Sequence, residues 1–128
     1  MLNIRDSLEE VDFNYILEHD DFTLAFCTFL DQFLRSNKKQ EMIATPPCEN
    51  NVQEALHLCL LAAMSHKLAN DYGLDVPEWV HDPKYIMPYA VFAHGTEDIE
   101  YQEFLIADSP SEYATKNLFY GANVLKRA

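Results

Sequence analysis

The sequence predicts an all-α fold, a compact single-domain bundle of about four to six helices with an irregular Pro- and aromatic-rich segment near residues 74–95. Two stretches carry this prediction. Apolar residues recur at spacings of three and four between residues 22 and 33, and residues 55–64 are apolar almost throughout. No stretch shows the sustained apolar–polar alternation of a half-buried strand. We therefore expect one helical domain over residues 1–128, with a weak internal break at 44–49.

The amino-terminal half carries clear helix start and stop signals. Ser7 and Glu10 have the spacing of a capping box, which predicts a helix to about residue 19. Asp20 or Asp21 caps the next helix, which is predicted to end between residues 35 and 41. The Thr-Pro-Pro at 45–47 breaks the chain, because a residue before proline is pushed out of the helical region. The following helix is predicted to run to about residue 72, with Gly73 as its carboxyl-terminal cap.

The carboxyl-terminal half predicts shorter elements. Three prolines between residues 77 and 88 exclude a long helix there, so we expect short turns that pack aromatic side chains onto the helical body. A helix follows over about residues 97–107. Ser109, Pro110 and Glu112 have the pattern of a second capping box, which predicts a short helix from Pro110 to about residue 116.

The charge of the chain excludes several classes of partner. The formal net charge is −12, and acidic residues outnumber basic residues in each third of the sequence. A nucleic-acid-binding protein needs clustered Lys and Arg, and the only close basic pairs are Lys38-Lys39 and Lys126-Arg127. An anionic membrane surface would repel this chain. The longest apolar stretch is about half of the ~20 residues that a membrane span requires. We expect neither direct nucleic-acid binding nor a membrane location.

The cysteines indicate a reduced, cytoplasmic compartment. Cys27, Cys48 and Cys59 are odd in number and form no Cys-x-x-Cys pair. Cys48, in the predicted loop, is either an inert thiol or a nucleophile that needs a histidine base from elsewhere in the chain. A chain of this length buries a sufficient core without a metal or a disulfide, so we expect no cofactor.

The pattern Glu-x-x-His occurs twice, at Glu54 and His57 and again at Glu78 and His81. This spacing puts both side chains on one helical face, as in di-iron carboxylate bundles. The second pair, however, lies in barely one turn between two prolines, and the helix at 21–35 supplies no glutamate. The alternative interpretation is that the first pair, Glu54 and His57, is partly buried or forms hydrogen bonds at the surface. With three glycines and no phosphate-binding or nucleophile-elbow motif, the sequence favours a protein that is not an enzyme.

Four aromatic residues close together in the irregular segment are candidates for partner binding: Trp79, Tyr85, Tyr89 and Phe92. Trp and Tyr are the usual anchors of protein interfaces. The alternative is that these rings cover the core where helices are missing.

The carboxyl-terminal half resembles small bacterial helical proteins of uncharacterised function, some of which carry a separate helix-turn-helix domain. The resemblance runs through LDVPEWVHDP at 74–83, SPSEY at 109–113, NLF at 117–119 and NVLKRA at 123–128. It implies a bacterial, cytosolic, helical domain and brings no functional residue. The stretch after Ser-Pro is typically arginine-rich in these proteins, and here it reads SEYATK. A nucleic-acid role inferred from the helix-turn-helix relatives therefore does not extend to this chain.

These observations together predict a non-enzymatic, cytoplasmic protein-interaction or regulatory module. Its acidity fits the partner of a basic protein, as in a toxin–antitoxin-like pair. The alternative is a small metal-binding protein or enzyme that uses Glu54, His57, Glu78 and His81. A homodimer is also consistent with the sequence, because the helices at 21–35 and 50–72 offer more apolar face than one aromatic segment covers.

Overall fold

The computed structural model describes residues 11–48, 55–122 and 124–125. These residues are mostly helical, with one pair of two-residue strands, which confirms the all-α class. The chain divides into two compact units, Met1–Gln53 and Glu54–Ala128. The single-domain organisation, with its break at 44–49, stays a prediction. None of the helices in the described ranges is long and apolar enough to cross a membrane.

The first unit contains three helices, α1 (Phe13–Glu18), α2 (Phe22–Arg35) and α3 (Lys39–Ala44). Asp12 caps α1 by accepting a hydrogen bond from the backbone N–H of Tyr15 (2.8 Å). The capping box predicted at Ser7 and Glu10 lies outside the described residues. Asp21 caps α2 through the N–H of Leu24 (3.0 Å), which confirms one of the two predicted caps.

The buried face of α2 holds the apolar residues that its periodicity predicts: Ala25, Phe29, Leu30 and Phe33. The ring of Phe13 in α1 packs against Phe29 with centroids 5.3 Å apart. The sequence does not predict α3, whose six residues begin after Lys38, where no side chain caps the helix. Ile43 of α3 is fully buried, so tertiary packing rather than a local signal stabilises this short helix.

The second unit is organised around α4 (Ala55–Asp71), which packs against α6 (Ser111–Ala114) and against two 3-10 helices, Glu78–His81 and Pro83–Tyr85. Gly73 ends α4 with φ of 67°, and the N–H of Leu74 donates to the carbonyl of Ala69 (2.8 Å). This is the predicted glycine cap, since a residue with a side chain rarely adopts that φ.

The remaining elements of this unit are a third 3-10 helix (Ala93–Gly95), α5 (Ile99–Asp108) and two parallel strands, β1 (Val91–Phe92) and β2 (Leu118–Phe119), in which Val91 pairs with Leu118. The capping box predicted at Ser109 is wrong. The hydroxyl of Ser109 donates to the carbonyl of Leu105 (2.6 Å) and accepts from the N–H of Gly121 (3.0 Å), and Pro110 precedes α6 without a side-chain cap. The sequence misses the strand pair, because two residues are too few to show a period.

Candidate functional site

Helix α5 is the element of the second unit with the most exposed apolar surface. Its start is set by Asp98, whose carboxylate accepts hydrogen bonds from the N–H groups of Glu100 (3.0 Å) and Tyr101 (3.4 Å). Gln102 adds a side-chain bond to the carbonyl of Thr96 (2.9 Å). Leu105 is the buried residue of α5, and the helix packs against β2. One buried residue in ten leaves most of α5 facing solvent.

Four large apolar side chains of α5 are exposed: Ile99 (70%), Tyr101 (40%), Phe104 (56%) and Ile106 (52%). At about 3.6 residues per turn, the two aromatic rings lie on one side of Leu105 and the two isoleucines lie on the other. The rings of Tyr101 and Phe104 are stacked, with centroids 6.2 Å apart and an interplanar angle of 9°. The apolar surface of α5 is therefore much wider than the strip that Leu105 buries.

The charged residues on α5 and directly before it are acidic. Residues 97–108 contain five carboxylates and no Lys or Arg. Glu100 and Glu103 are exposed and lie on the side opposite Leu105. Asp108 accepts a hydrogen bond from the N–H of Ala122 (2.9 Å). The surface of α5 therefore combines exposed apolar side chains with negative charge.

The four aromatic residues that the sequence proposes for partner binding occupy different environments. Tyr85 is 1% exposed and meets Trp79 edge-on, with centroids 5.5 Å apart. Phe92 is half-buried and stacks on Phe119 at 5.5 Å. Tyr89 is 64% exposed. Of this group, Tyr89 is the side chain that presents most of its surface to solvent.

The two predicted Glu-x-x-His pairs are only partly described. Glu54 lies outside the described residues, and His57 is half-buried on α4. Glu78 and His81 are exposed at the two ends of a 3-10 helix. The ring of His81 instead contacts His66 of α4, with centroids 5.2 Å apart and an interplanar angle of 83°. Within the described ranges, no group of three or more His, Cys, Asp or Glu side chains is arranged to hold a metal ion.

His66 lies in a polar cluster between α4 and α6. Glu112 of α6 accepts a hydrogen bond from the side-chain amide of Asn70 (2.7 Å). Burial, and then the neighbouring His81, lower the pKa of His66, while Glu112 opposes this shift. Desolvation raises the pKa of Glu112, but the hydrogen bond from Asn70, a backbone hydrogen bond and the nearby Lys67 together outweigh it, so the pKa of Glu112 is lowered. His66 is therefore predominantly neutral at neutral pH, and Glu112 is ionised.

A buried lysine lies deeper in the same unit. Lys116 is 4% exposed and its Nζ donates a hydrogen bond to the carbonyl of Val80. Burial lowers the pKa of Lys116 and raises the pKa of the nearby buried Cys59. A raised thiol pKa disfavours the nucleophilic thiolate. Cys48 is exposed in the first unit, and its backbone N–H donates to the side chain of Asn14 (3.0 Å).

The first unit also contains a cleft of about 240 Å³, lined in part by Phe13 and Phe29. Two of its polar side chains are engaged by the chain itself. Asp12 caps α1, and Asn14 accepts from the N–H of Cys48. These two side chains therefore support the local backbone beside the cleft.

Sequence reasoning missed the exposed apolar side chains of α5 and the contact between His66 and His81. The first had a local signal, because residues 99–106 contain more large apolar side chains than one face of a short helix can hold. The second had none, since the two histidines are fifteen positions apart and meet only in the folded chain.

Comparison of this chain with models of protein families, with curated proteins and with solved structures finds no match in any of the three.

Proposed function

We propose that this chain is a non-enzymatic, cytoplasmic interaction module that binds a basic protein through α5, as a toxin-neutralising or regulatory partner does. One observation carries the proposal. Of the ten large apolar side chains that are exposed in the described residues, four lie on α5, an element of ten residues. Single exposed apolar residues are ordinary, whereas several on one short helix are typical of an interaction site.

The shape and chemistry of α5 favour docking of the helix into a groove. An amphipathic helix binds an apolar groove through side chains spaced three, four and seven positions apart. Tyr101 and Phe104 have the spacing of three and form one strip along α5, while Ile99 and Ile106 have the spacing of seven and form a second strip on the other side of Leu105. Stacked aromatic rings are also effective anchors, because they bury a large area with few rotatable bonds.

Charge favours a basic partner over a second copy of the chain. A homodimer across α5 would place the five carboxylates of residues 97–108 against five more, with no Lys or Arg in this segment to offset the repulsion. A partner with Lys and Arg at the rim of its groove would instead be attracted. Such steering speeds association and weakens as salt rises.

The test is capture of a partner from native lysate by the tagged full-length chain at low and high salt. We expect a stoichiometric protein rich in Lys and Arg at low salt, released as salt rises. The double variant Phe104→Ser/Ile106→Ser should not capture it. Leu24→Ser, which changes a 57% exposed apolar side chain on α2, is the matched control and should capture it normally. The absence of a stoichiometric partner, or equal capture by the α5 variant, would contradict the proposal.

A further inference from the structure

The contact between His66 and His81 leaves their ring nitrogens open to a ligand. No hydrogen bond joins a ring nitrogen of either histidine to any other residue within the described ranges. His19 differs, because its Nδ1 accepts a hydrogen bond from the N–H of Asp21 (2.9 Å). His66 is half-buried and His81 is exposed, so the pair is accessible from solvent.

We propose that His66 and His81 together bind one divalent transition-metal ion of the Zn²⁺ class, with water completing its coordination. Neutral imidazole is a preferred ligand of Zn²⁺, Cu²⁺ and Ni²⁺. Two protein ligands make an open site, which differs from the closed four-ligand sites of structural zinc. This agrees with the finding that no set of three His, Cys, Asp or Glu ligands is assembled in the described residues.

The separation of the two rings suits a shared ion. At a Zn–N distance of about 2.0–2.1 Å and a tetrahedral angle, two coordinating imidazole rings have centroids roughly 5 Å apart. The observed separation is 5.2 Å. The two rings meet edge to face, with an interplanar angle of 83°, and the exposed side chain of His81 can rotate about its bonds to bring a ring nitrogen within reach of an ion held by His66.

The backbone on both sides of the pair is anchored. His66 lies within α4, directly after the fully buried Ser65. His81 follows the fully buried Val80, whose carbonyl accepts the hydrogen bond from Lys116. Ligands held on packed elements lose less freedom when they bind an ion than ligands on free loops do.

The charges around the pair are mixed and partly offset one another. Glu112 lies near His66 and, held by Asn70, attracts a cation. Lys116 acts on His66 in the opposite sense, but its ammonium is directed to the carbonyl of Val80. Lys67 also lies near Glu112 and pairs with Asp71 at 3.0 Å. The one carboxylate that acts directly on His66 therefore favours a bound cation.

This site shares His81 with the metal set predicted from sequence, but it replaces His57 with His66. Single substitutions at His57 and His66 therefore distinguish the metal site predicted from sequence from the site proposed here. His57→Gln should abolish binding at the sequence-predicted set and leave the pair proposed here intact. His66→Gln should do the reverse.

The test is calorimetric titration of the full chain with Zn²⁺ alone at neutral pH. We expect one equivalent of Zn²⁺ to bind, and His66→Gln and His81→Gln each to weaken binding by roughly tenfold or more. His57→Gln and the loop variant His94→Gln should bind as the natural chain does. Circular dichroism checks that each variant is folded, and the exposed His81 keeps the test decisive if His66→Gln is destabilised. Failure of the natural chain to bind Zn²⁺, or unchanged affinity in His81→Gln, would overturn the proposal.

Discussion

Tyr113 is the residue whose burial has the clearest energetic consequence. It is 0% exposed, and its hydroxyl has no hydrogen-bond partner within the described residues. A buried hydroxyl without a partner loses its bonds to water and gains nothing in return. Burial, followed by the proximity of Tyr120 and Glu112, raises the pKa of Tyr113 well above its ordinary value of 10.0.

We predict that Tyr113→Phe stabilises the protein by about 1 kcal/mol, because it removes the unsatisfied hydroxyl and keeps the packed ring. The same variant should resist alkali better. The folded protein holds the phenol proton that the unfolded chain releases above its pKa, so stability falls as pH rises through about 10. Urea unfolding at neutral pH and above pH 10 measures both effects.

Tyr120→Phe is the control for Tyr113→Phe, since Tyr120 is only half-buried although burial also raises its pKa. It should change stability less at neutral pH. Equal or lower stability of Tyr113→Phe at neutral pH would contradict the interpretation that its hydroxyl is unsatisfied.

Among the elements, α5 depends on its cap more than on its core. It buries only Leu105, so packing contributes less to its stability than it does for α4. Asp98 supplies two hydrogen bonds to the first turn, and its negative charge favours the amino-terminal end of the helix. The proposed docking surface is thus held in helical form largely by one side chain and its own backbone.

We predict that Asp98→Ala lowers the free energy of unfolding by about 1 kcal/mol and frays the start of α5. Asp98→Asn should lower the free energy of unfolding less, because the amide oxygen can also accept hydrogen bonds from the first turn of α5. Glu97→Ala, which removes a neighbouring carboxylate that makes no cap, should have little effect. Hydrogen exchange at Glu100 and Tyr101 reports the fraying. Protection of those amides that is unchanged in Asp98→Ala would show that the cap is dispensable.

At the scale of the whole molecule, a single fluorescent probe can measure how strongly the two compact units are coupled. Trp79 is the single tryptophan of the chain and lies in the second unit, so its fluorescence reports unfolding of that unit. Phe33 is fully buried in the first unit, and Leu61 is fully buried in the second. Substituting Phe33 or Leu61 destabilises one unit at a time, while the fluorescence of Trp79 is recorded.

We predict that Phe33→Ala lowers the free energy of unfolding of the first unit by roughly 3–5 kcal/mol. If residues 1–128 form a single domain, the urea midpoint measured by Trp79 fluorescence should fall as well. Leu61→Ala should lower that midpoint in any case and serves as the positive control. A Trp79 transition that Phe33→Ala leaves unmoved, while far-UV circular dichroism shows that the first unit is destabilised, would mean that the units unfold independently.

The sequence by itself determined the helical class, the buried face of α2, an aspartate cap at residue 20 or 21, the glycine end of α4 and the acidic charge. Each of these depends on neighbours within a few residues or on composition, which the chain displays directly. The misreading of Ser109 has the opposite cause. Its hydroxyl bonds backward to Leu105 and also across to Gly121, and the second of these partners is twelve positions away.

Only the tertiary structure decided which aromatic and histidine side chains meet. Tyr85 and Tyr89 are four positions apart in the same irregular segment, yet one is buried and the other exposed. The ring of His81 lies against the ring of His66, which is fifteen positions away in the chain. Such pairings follow from how α4, α6 and the 3-10 turns pack. Packing of this kind joins residues far apart in the chain, so no local period records it.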